Sequence, residues 1–516
     1  MSTLYWTQSR MRVHTGSVAL QLLLCLQGIQ AARILLLYYP SYSHIRGSLD
    51  VATVLASRGH IVWNALPTEL ANHKAMQAPG VNILKYQAID DLGLREKVVD
   101  TMVTGYFQEN NPSVPFHIFT DTSDLILRDN ELFRRIKELN FDMIIIDIMP
   151  LVRMLTIIPH RLDIPFIFMG AAFEPQVSRN PFIPSASPFI ISPRTPKMDF
   201  LTRVANVITT VMYVFVYDPF STYRPVATYA PEKPYLSMEA LTAKAWLWLI
   251  DIEPLLDYPA ATLPNVKRIG SLSASEPTPL PQEYKEFMDK AKEGVVIVSF
   301  GSNVKSIPDG ILKMLLDSFS RTNYKYIFKT DKKVKVGPNV LLTTWMPQSD
   351  LLAHPNTKLF ITHCGANGQN EAFLQGVPMI GFPIFGDQPY NSMRLEYHGF
   401  GLKMDLKTFT VDDLVSNINE VIQNSSYSQK IKKAAEITKL RERSPKEEAV
   451  YWIEHVLKYG GAHLRSYCQD MPLYQYLCLD VIGLVLVILH VCSFLIFKSC
   501  FYCCRKASHK PKQKRE

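Results

Sequence analysis

Two polar residues follow apolar segments in the first third of the chain and could share acid–base chemistry. His44 comes shortly after the apolar run Arg33–Tyr39, and Asp147 comes directly after the run Phe141–Ile146. If both runs are parallel strands of one sheet, both residues lie at its carboxyl edge, where α/β domains place their sites. A histidine can take a proton near neutral pH, and a carboxylate can orient the ring and stabilise its charged form. The same spacing also fits a surface histidine and an aspartate at a helix N-cap.

A second set of candidates lies in the second half of the chain, around the apolar runs Leu359–Thr362 and Met379–Phe382. Each run is followed by a turn and by a polar segment that can begin a helix. The first turn, His363–Gly368, offers backbone N–H groups and the positive end of a helix dipole, which together suit a phosphate. The second turn ends in Asp387-Gln388, a carboxylate beside an amide, which suits sugar hydroxyls.

The stretch Trp345–Gln388 resembles, over all 44 of its positions, the signature of the UDP-glycosyltransferases, and of the animal microsomal UDP-glucuronosyltransferases in particular. The resemblance implies a tryptophan stacked on uracil, a glutamine on the base or ribose, and a glutamate on the ribose hydroxyls. It further implies a histidine and backbone at the diphosphate, and an Asp-Gln pair at the donor sugar. The implied donor-binding residues are Ser302, Trp345, Gln348, His363, Gly365, Asn367, Gly368, Glu371, Asp387 and Gln388.

The resemblance also implies roles for the first pair of candidates. The family has its catalytic base in a Ser-His turn after the first strand, which matches His44. Its partner aspartate ends an FDxxxxD segment, which selects Asp147 over Asp142. Lys329 matches a basic position of the family's donor half.

Three positions depart from the family pattern. Ile45 stands where a tryptophan often follows the histidine, which bears on acceptor contacts. Cys364 stands where animal members usually have glycine, and Tyr390 stands where an aspartate is more usual. We therefore expect a changed sugar preference to originate at Cys364 or Tyr390.

Strand-type runs alternate with helix-type segments in both halves of the chain, which predicts two parallel α/β units. The resemblance implies the glycosyltransferase B fold, with two facing Rossmann-like domains and one C-terminal transmembrane helix. We expect an acceptor-binding domain at residues 32–270 and a UDP-sugar-binding domain at residues 285–458. The segment Pro264–Pro281 is rich in proline and serine, which predicts an interdomain linker. The apolar, helically spaced segment Phe200–Val216 is expected to help shape a lipophilic pocket.

Both ends of the chain carry targeting features. Residues 1–31 have two arginines ahead of a short apolar run, which predicts a cleaved signal peptide. Residues 477–497 can span a bilayer, and the basic tail 498–516 that follows places the tail in the cytosol and the body in the lumen. Lysines three and five places from the end resemble a dilysine retrieval signal, so we expect a single-pass type I protein of the endoplasmic reticulum membrane. The sequon at Asn424 is compatible with a luminal body.

Charge and cysteine content exclude several classes of protein. The net charge is +8, but the tail 498–516 holds seven basic residues and one acid, so the body is nearly neutral and nucleic acid is not an expected partner. Of eight cysteines, only Cys364 and Cys468 lie outside the apolar ends, which is neither a disulfide framework nor a metal-ligand spacing. No Asp-x-Asp motif occurs in the donor half. The resemblance implies that no metal and no cofactor are needed, the UDP-sugar being a co-substrate.

The predicted reaction is the inverting transfer of a glycosyl group, with glucuronic acid favoured, from a UDP-sugar to a hydroxyl or similar nucleophile of a small lipophilic acceptor. The residues leave UDP-glucose open as the donor. A non-catalytic membrane partner that binds UDP or a lipophile is a second alternative. An NAD-dependent oxidoreductase is a third, but no Gly-x-Gly-x-x-Gly follows either Arg33–Tyr39 or Gly294–Phe300. The sequence predicts neither the acceptor nor whether the protein is a homo- or hetero-oligomer.

Overall fold

The structure is a computed structural model and describes residues 31–87, 103–107, 117–171, 173–190, 192–213, 224–273, 277–301, 304 and 307–508. Residues 1–30 of the predicted signal peptide, Ser302 and the end of the basic tail lie outside these described residues. The chain divides into two compact units, Met1–Arg465 and Ser466–Glu516, each of which is described by itself.

The first unit contains two parallel sheets, and the first of these has seven described strands in the order β3-β2-β1-β4-β5-β6-β7. The strands are β1 Arg33–Leu37, β2 Ile61–Pro67, β3 Val81–Tyr86, β4 Met143–Asp147, β5 Phe166–Gly170, β6 Trp248–Ile250 and β7 Val266–Arg268. The central strands β1 and β4 are almost wholly apolar and buried, because apolar clusters cover both faces of the sheet. The direction in which strands are added reverses between β1 and β4, so their carboxyl ends border a crevice of the kind that binds ligands.

The second sheet repeats this plan with six described strands in the order β10-β9-β8-β11-β12-β13. These strands are β8 Val295–Ser299, β9 Lys325–Lys329, β10 Val340–Thr343, β11 Thr357–Thr362, β12 Met379–Gly381 and β13 Gly401–Lys403. The reversal falls between β8 and β11, which pair in parallel with Thr362 beside Ser299. The prediction of two parallel α/β domains is confirmed.

Helices connect the strands and cover the sheets. In the first half they are α1 Tyr42–Ser57, α2 Thr68–Ala71, α3 His117–Arg128, α4 Asn130–Leu139, α5 Ile157–Leu162, α6 Phe200–Val211, α7 Pro225–Tyr229, α8 Met238–Thr242 and α9 Gln282–Asp289. In the second half they are α10 Asp309–Ser320, α11 Gln348–Ala353, α12 Ala366–Leu374, α13 Gln388–His398, α14 Val411–Gln423, α15 Ser425–Lys439 and α16 Pro445–Tyr459. Short 3₁₀ helices lie at Lys74–Met76, Pro150–Thr156, Ala462–Leu464 and Tyr467–Gln469.

Helix α16 belongs by sequence to the second half but packs in the core of the first sheet. Its residues Ala449, Val450, Ile453 and Val456 are buried among the apolar residues of α1 and β1. A capping box at Ser444 begins the helix, and the side chain of Glu454 pairs with Arg58 at 2.8 Å. The end of the second half therefore completes the core of the first.

The predicted linker Pro264–Pro281 is wrong at its amino end. Residues Val266–Arg268 form β7, which pairs in parallel with β6 and so belongs to the first sheet. A three-residue edge strand is too short to show a periodic apolar pattern, and the proline and serine around it resemble a loop.

The second unit contains α17 Leu473–Tyr476 and the long helix α18 Leu479–Ser508. Within the described residues, one helix is long and apolar enough to cross a membrane: 27 residues, Leu479–Arg505, with a mean hydropathy of 2.6 and no burial by protein. This helix overlaps the predicted span 477–497 and is consistent with membrane anchoring.

Candidate functional site

The structure brings His44 and Asp147 together at the carboxyl edge of the first sheet. His44 lies in the first turn of α1, which follows β1, and Asp147 is the last residue of β4. Because β1 and β4 are neighbours, the two side chains meet, and Nδ1 of His44 lies 2.8 Å from Oδ2 of Asp147. The side chain of Asp147 is 1% exposed and that of His44 is 28% exposed, so the pair has a buried member and a reachable one.

The carboxylate of Asp147 is fixed by backbone donors as well as by the histidine. The N–H of Tyr39 donates to Oδ2 at 3.3 Å, and the N–H of Met149 donates to Oδ1 at 3.1 Å. The ring of Tyr39 packs edge-to-face against His44, with centroids 5.6 Å apart. These contacts set the orientation of the imidazole, as a base and its supporting carboxylate require.

In the second sheet, the turn between β11 and α12 holds His363 between two glycines. A Cβ placed on Gly301 would lie 2.7 Å from Nε2 of His363, and one placed on Gly365 would lie 2.6 Å from the same atom. Gly301 has a φ of +84°, a conformation that side chains other than glycine rarely adopt. Both positions therefore require glycine so that the imidazole can lie between β8 and the start of α12.

The turn that holds His363 can attract an anion even though this histidine is uncharged. Burial lowers the pKa of His363 to about 4, so the ring is neutral at pH 7 and can act as a hydrogen-bond donor. Helix α12 begins at Ala366 directly after the turn, and its first N–H groups and dipole supply partial positive charge. Asn367 and Gly368 lie in the first turn of this helix. The arrangement fits the phosphate site that the sequence predicted.

Three further predicted donor-binding residues lie on elements close to this turn. Trp345 follows β10, Gln348 begins α11, and Glu371 lies in α12. The indole of Trp345 is 64% exposed, and Nζ of Lys329 lies 5.2 Å from its ring centroid. The Gln348 side chain donates from Nε2 to Oε2 of Glu371 at 2.6 Å, which joins α11 to α12. Burial raises the pKa of Glu371 to about 7. A Cβ added at Gly368 would lie 3.4 Å from Nε2 of Gln348, an ordinary packing distance.

The carboxylate of Asp387 lies at the start of α13. Nδ2 of Asn391, one turn later, donates to Oδ2 of Asp387 at 2.6 Å. Burial raises the pKa of Asp387, while the hydrogen bond from Asn391 and the charges of Arg394 and His44 act in the opposite direction.

Gln388 is more restricted than the sequence suggested. Its side-chain oxygen Oε1 accepts hydrogen bonds from the backbone N–H groups of Ile384 at 2.8 Å and Phe385 at 3.1 Å. The side chain is buried and closes the turn between β12 and α13. Only its amide N–H groups can therefore donate to a sugar in this conformation.

Two of the three departures from the family pattern, Cys364 and Tyr390, make contacts within the protein itself. Cys364 is buried, with a φ of +66°, which explains why glycine is usual at this position. Its Sγ fills the space in front of Gly381, where an added Cβ would overlap it. The hydroxyl of Tyr390 donates to Oδ1 of Asp257 at 3.0 Å, so it contacts the segment between β6 and β7.

Sequence reasoning missed two residues that support this site. Asn391 holds Asp387, and its spacing of four residues on the same helix was a signal that could have identified it. Asp257 binds Tyr390 and also pairs with Arg268 at 2.7 Å and Arg394 at 3.5 Å. No sequence signal indicates this cluster, because Asp257 and Tyr390 are far apart along the chain.

Solved structures with the same architecture define the class of protein. The glycotransferase of kitacinnamycin aligns with a TM-score of 0.58 and 18% identity, over 83% of this chain and 99% of its own. The spinosyn forosaminyltransferase aligns with a TM-score of 0.60 and 16% identity, over 83% of this chain and 100% of its own. The fold is therefore that of the B-type glycosyltransferases.

Sequence comparison gives the family. The family model described as "UDP-glucoronosyl and UDP-glucosyl transferase" matches residues 82–514. UDP-glucuronosyltransferase 1A1 of Mus musculus is 31% identical over 513 residues, 94% of each chain, and UDP-glucuronosyltransferase 2B7 of Homo sapiens is 33% identical over 400 residues, 75% of each chain. The chain belongs to the UDP-glucuronosyl and UDP-glucosyl transferase family. It is an enzyme that transfers a glycosyl group from a UDP-sugar, which confirms the predicted class of reaction.

Proposed function

We propose that the enzyme transfers glucuronic acid from UDP-glucuronate to a hydroxyl of a small lipophilic acceptor, with His44 as base and inversion at the anomeric carbon. The observation that carries the proposal is the 2.8 Å contact between Nδ1 of His44 and the buried carboxylate of Asp147. That contact orients the imidazole so that Nε2 is the nitrogen that takes the acceptor's proton. The similarity to UDP-glucuronosyltransferases of mouse and man favours glucuronate over other donor sugars.

The proposed step balances as a single displacement. Nε2 of His44 takes the hydroxyl proton, and Asp147 stabilises the imidazolium that forms. The acceptor oxygen forms a bond to the anomeric carbon while the bond from that carbon to the diphosphate oxygen breaks. The electron pair leaves with UDP, whose charge is met by the start of α12 and by a hydrogen bond from neutral His363.

We assign the donor-binding residues to the successive parts of the UDP-sugar. Trp345 supports the uracil, Gln348 and Glu371 bind the ribose, and Asp387 with Gln388 binds the sugar. In this proposal the diphosphate is surrounded by Ser302, His363, Gly365, Asn367 and Gly368. The exposed indole of Trp345 supports its role at the uracil. The buried carboxyl groups of Glu371 and Asp387 support their roles at the ribose and the sugar.

The test is the variant His44→Ala, compared with wild type and with His73→Ala. His73 is an exposed histidine of the same domain whose Nδ1 accepts from the N–H of Ala75, so it matches in type but not in place. We expect His44→Ala to lower the transfer rate by about 10²–10⁴-fold with UDP binding unchanged, and His73→Ala to change neither. A normal rate in His44→Ala would remove the base assignment. UDP binding without transfer by wild type, over a broad acceptor screen, would favour the non-catalytic partner instead.

The identity of the donor needs a separate measurement. Paired incubations with radiolabelled UDP-glucuronate and UDP-glucose, on one acceptor that gives turnover, should favour glucuronate. Faster transfer from UDP-glucose would show that the enzyme is a glucosyltransferase of the same fold. The proposal includes no metal or cofactor, so excess EDTA should leave the transfer rate unchanged.

We place the enzyme in the endoplasmic reticulum membrane, with the body in the lumen and the tail in the cytosol. The apolar helix Leu479–Arg505 and the basic residues after it support this orientation. Asn424 is exposed at the start of α15, where a luminal glycosyltransferase could reach it. Treatment with endoglycosidase H should increase the protein's gel mobility, and Asn424→Gln should abolish that change.

A further inference from the structure

Two histidines meet at the end of helix α16, outside the candidate site. Nε2 of His455 lies 2.8 Å from Nε2 of His463, and the two ring centroids are 5.0 Å apart. Glu454, next to His455 in the chain, pairs with Arg58 directly after the carboxyl end of α1, whereas His44 lies in the first turn of that helix. Helix α1 has 16 residues, so its ends are about 24 Å apart. The histidine pair is therefore separate from the proposed catalytic pair.

The turn that brings these two rings together is built into the fold. Gly460 ends α16 with a φ of +72°, a conformation that suits glycine. A Cβ placed on Gly461 would lie 2.5 Å from the Cβ of Trp246, so this position has no room for a side chain. Beyond the 3₁₀ helix that follows, Nη1 of Arg465 donates to the carbonyl of Ala243 at 2.7 Å. The chain is therefore held against the first domain on both sides of the second histidine.

The ring of His455 is also held by aromatic neighbours on its own helix. Its centroid lies 5.3 Å from that of Trp452 and 5.2 Å from that of Tyr459. His455 is half-buried and His463 is exposed, so the pair lies at the surface of the protein. The charge of Lys267 opposes a second cation in this region, but its Nζ lies over the indole of Trp452, 3.7 Å from the ring centroid. The pair is thus a fixed, solvent-facing arrangement of two imidazoles.

The distance between the two nitrogens suits a shared metal ion. A separation of 2.8 Å fits a proton shared between the rings. It also lies close to the value for two ligands of one ion, because nitrogens about 2.0–2.1 Å from zinc on adjacent corners are roughly 3 Å apart. Neutral imidazole is a preferred ligand of zinc, copper and nickel. Within the described residues no group of three or more histidine, cysteine or carboxylate ligands occurs, so water would complete the coordination of an ion here.

We propose that His455 and His463 together bind one divalent transition-metal ion, for which zinc and copper are the best suited. The ion takes the place of the proton between the two rings and links the end of α16 to the 3₁₀ helix Ala462–Leu464. Because α16 packs in the core of the first sheet, binding of the ion should stabilise that core. The inference does not depend on the proposed reaction, and the ion takes no part in it.

The test is calorimetric titration of zinc chloride into the full-length protein, purified in detergent without a polyhistidine tag and treated with EDTA, which is then removed. We expect wild type to bind one zinc ion per chain. His455→Phe keeps a ring against Trp452 and Tyr459 but loses the nitrogen. It should weaken binding at least about tenfold, because even groups outside the ligand shell of a metal contribute 10–100-fold. His73→Phe, at an exposed histidine of the same domain, should bind as wild type does.

Two results of the titration would overturn the inference: no zinc binding by wild type, and equal affinity in wild type and His455→Phe. If His455→Phe does not fold, His463→Gln gives the same comparison from an exposed position. Bound zinc should also raise the unfolding temperature of wild type and not that of either variant.

The ligands themselves can be counted by electron paramagnetic resonance. With one equivalent of Cu²⁺, the spectrum of wild type should show hyperfine splitting from two imidazole nitrogens, and that of His463→Gln should not. A wild-type spectrum without two coordinated nitrogens, or an unchanged spectrum in His463→Gln, would show that the ion binds elsewhere and would overturn the inference.

Discussion

The hydroxyl of Tyr390 donates a hydrogen bond to the carboxylate of Asp257, 3.0 Å away, and so joins helix α13 of the second domain to the segment after β6 of the first. Against the effect of burial, the guanidinium groups of Arg394 and Arg268 hold the pKa of Asp257 below its ordinary value. The carboxylate is therefore a charged centre on which three side chains converge. The structure thus gives position 390 an interdomain contact, while the sugar-selecting role expected from the sequence stays a prediction.

Tyr390→Phe should weaken the fold without changing the choice of donor. The variant removes one donor from a buried carboxylate, so we expect a loss of about 1 kcal/mol in unfolding free energy. The ratio of transfer rates with UDP-glucuronate and UDP-glucose should stay that of wild type. Thermal unfolding and paired donor assays measure the two effects. A several-fold change in that ratio with an unchanged unfolding temperature would instead place the tyrosine against the sugar.

Asp147→Asn should affect turnover and leave UDP binding unchanged. An amide cannot stabilise a protonated His44, so we expect the rate to fall by about 10²–10⁴-fold. The acid limb of the pH–rate profile should move to lower pH, because the charge that favours the protonated ring is gone. Asp142→Asn is the matched control, since Asp142 lies before the same strand and accepts from the N–H of Arg33 at 2.7 Å. An equal loss in both variants would indicate a general effect on the strand.

Glu371→Gln should stabilise the protein at alkaline pH and weaken its affinity for UDP. Burial raises the pKa of Glu371 from 4.5 to about 7, so the stability it contributes is fully present below pH 4.5 and is lost as the pH rises through about 7. The glutamine variant escapes that loss. Its unfolding free energy should equal that of wild type near pH 4 and exceed it by about 3 kcal/mol at pH 8, where the loss in wild type is nearly complete. Denaturation curves at the two pH values and UDP titrations test this; a pH-independent difference would contradict it.

Gly381→Ala should be tolerated only when Cys364 is also changed. The new methyl group would overlap Sγ of Cys364, and such overpacking costs about 1–3 kcal/mol. Adding Cys364→Gly removes the sulfur and suits the backbone φ of +66° at that position. The double variant should therefore recover most of the lost stability in a double-mutant cycle. Additive effects of the two changes would show that the two positions do not meet.

Local pattern was enough to predict the two sheets and the two halves of the candidate site. Runs such as Arg33–Tyr39 and Phe141–Ile146 are apolar on both faces, which is typical of buried parallel strands, and the structure has β1 and β4 there. Because parallel strands share a carboxyl edge, the residues after them had to lie near one another. The meeting of His44 and Asp147 follows from that rule, although their catalytic roles stay predictions.

Contacts between distant parts of the chain could not be predicted in the same way. The hydrogen bond between Tyr390 and Asp257 depends on how the two domains dock. The apolar periodicity of a sequence carries no information on that docking. Phe200–Val216 was predicted to be helical and to line a pocket; the structure has a helix at Phe200–Val211 but turns its apolar side outward. An apolar stripe shows that a helix has two faces, and the hydrogen bonds of Asn206 decide which face is buried.

Because helix α16 packs in the core of the first domain, that domain cannot finish folding until late in the synthesis of the chain. The surface of α1 and β1 that α16 covers cannot be closed until residues 445–459 have left the ribosome, long after the rest of that domain. We expect the first domain of a nascent chain stalled at residue 440 to remain sensitive to protease, and that of a chain stalled well beyond residue 459 to become resistant. Until then its apolar surface is open to chaperones, so truncations late in the chain should impair the folding of its beginning.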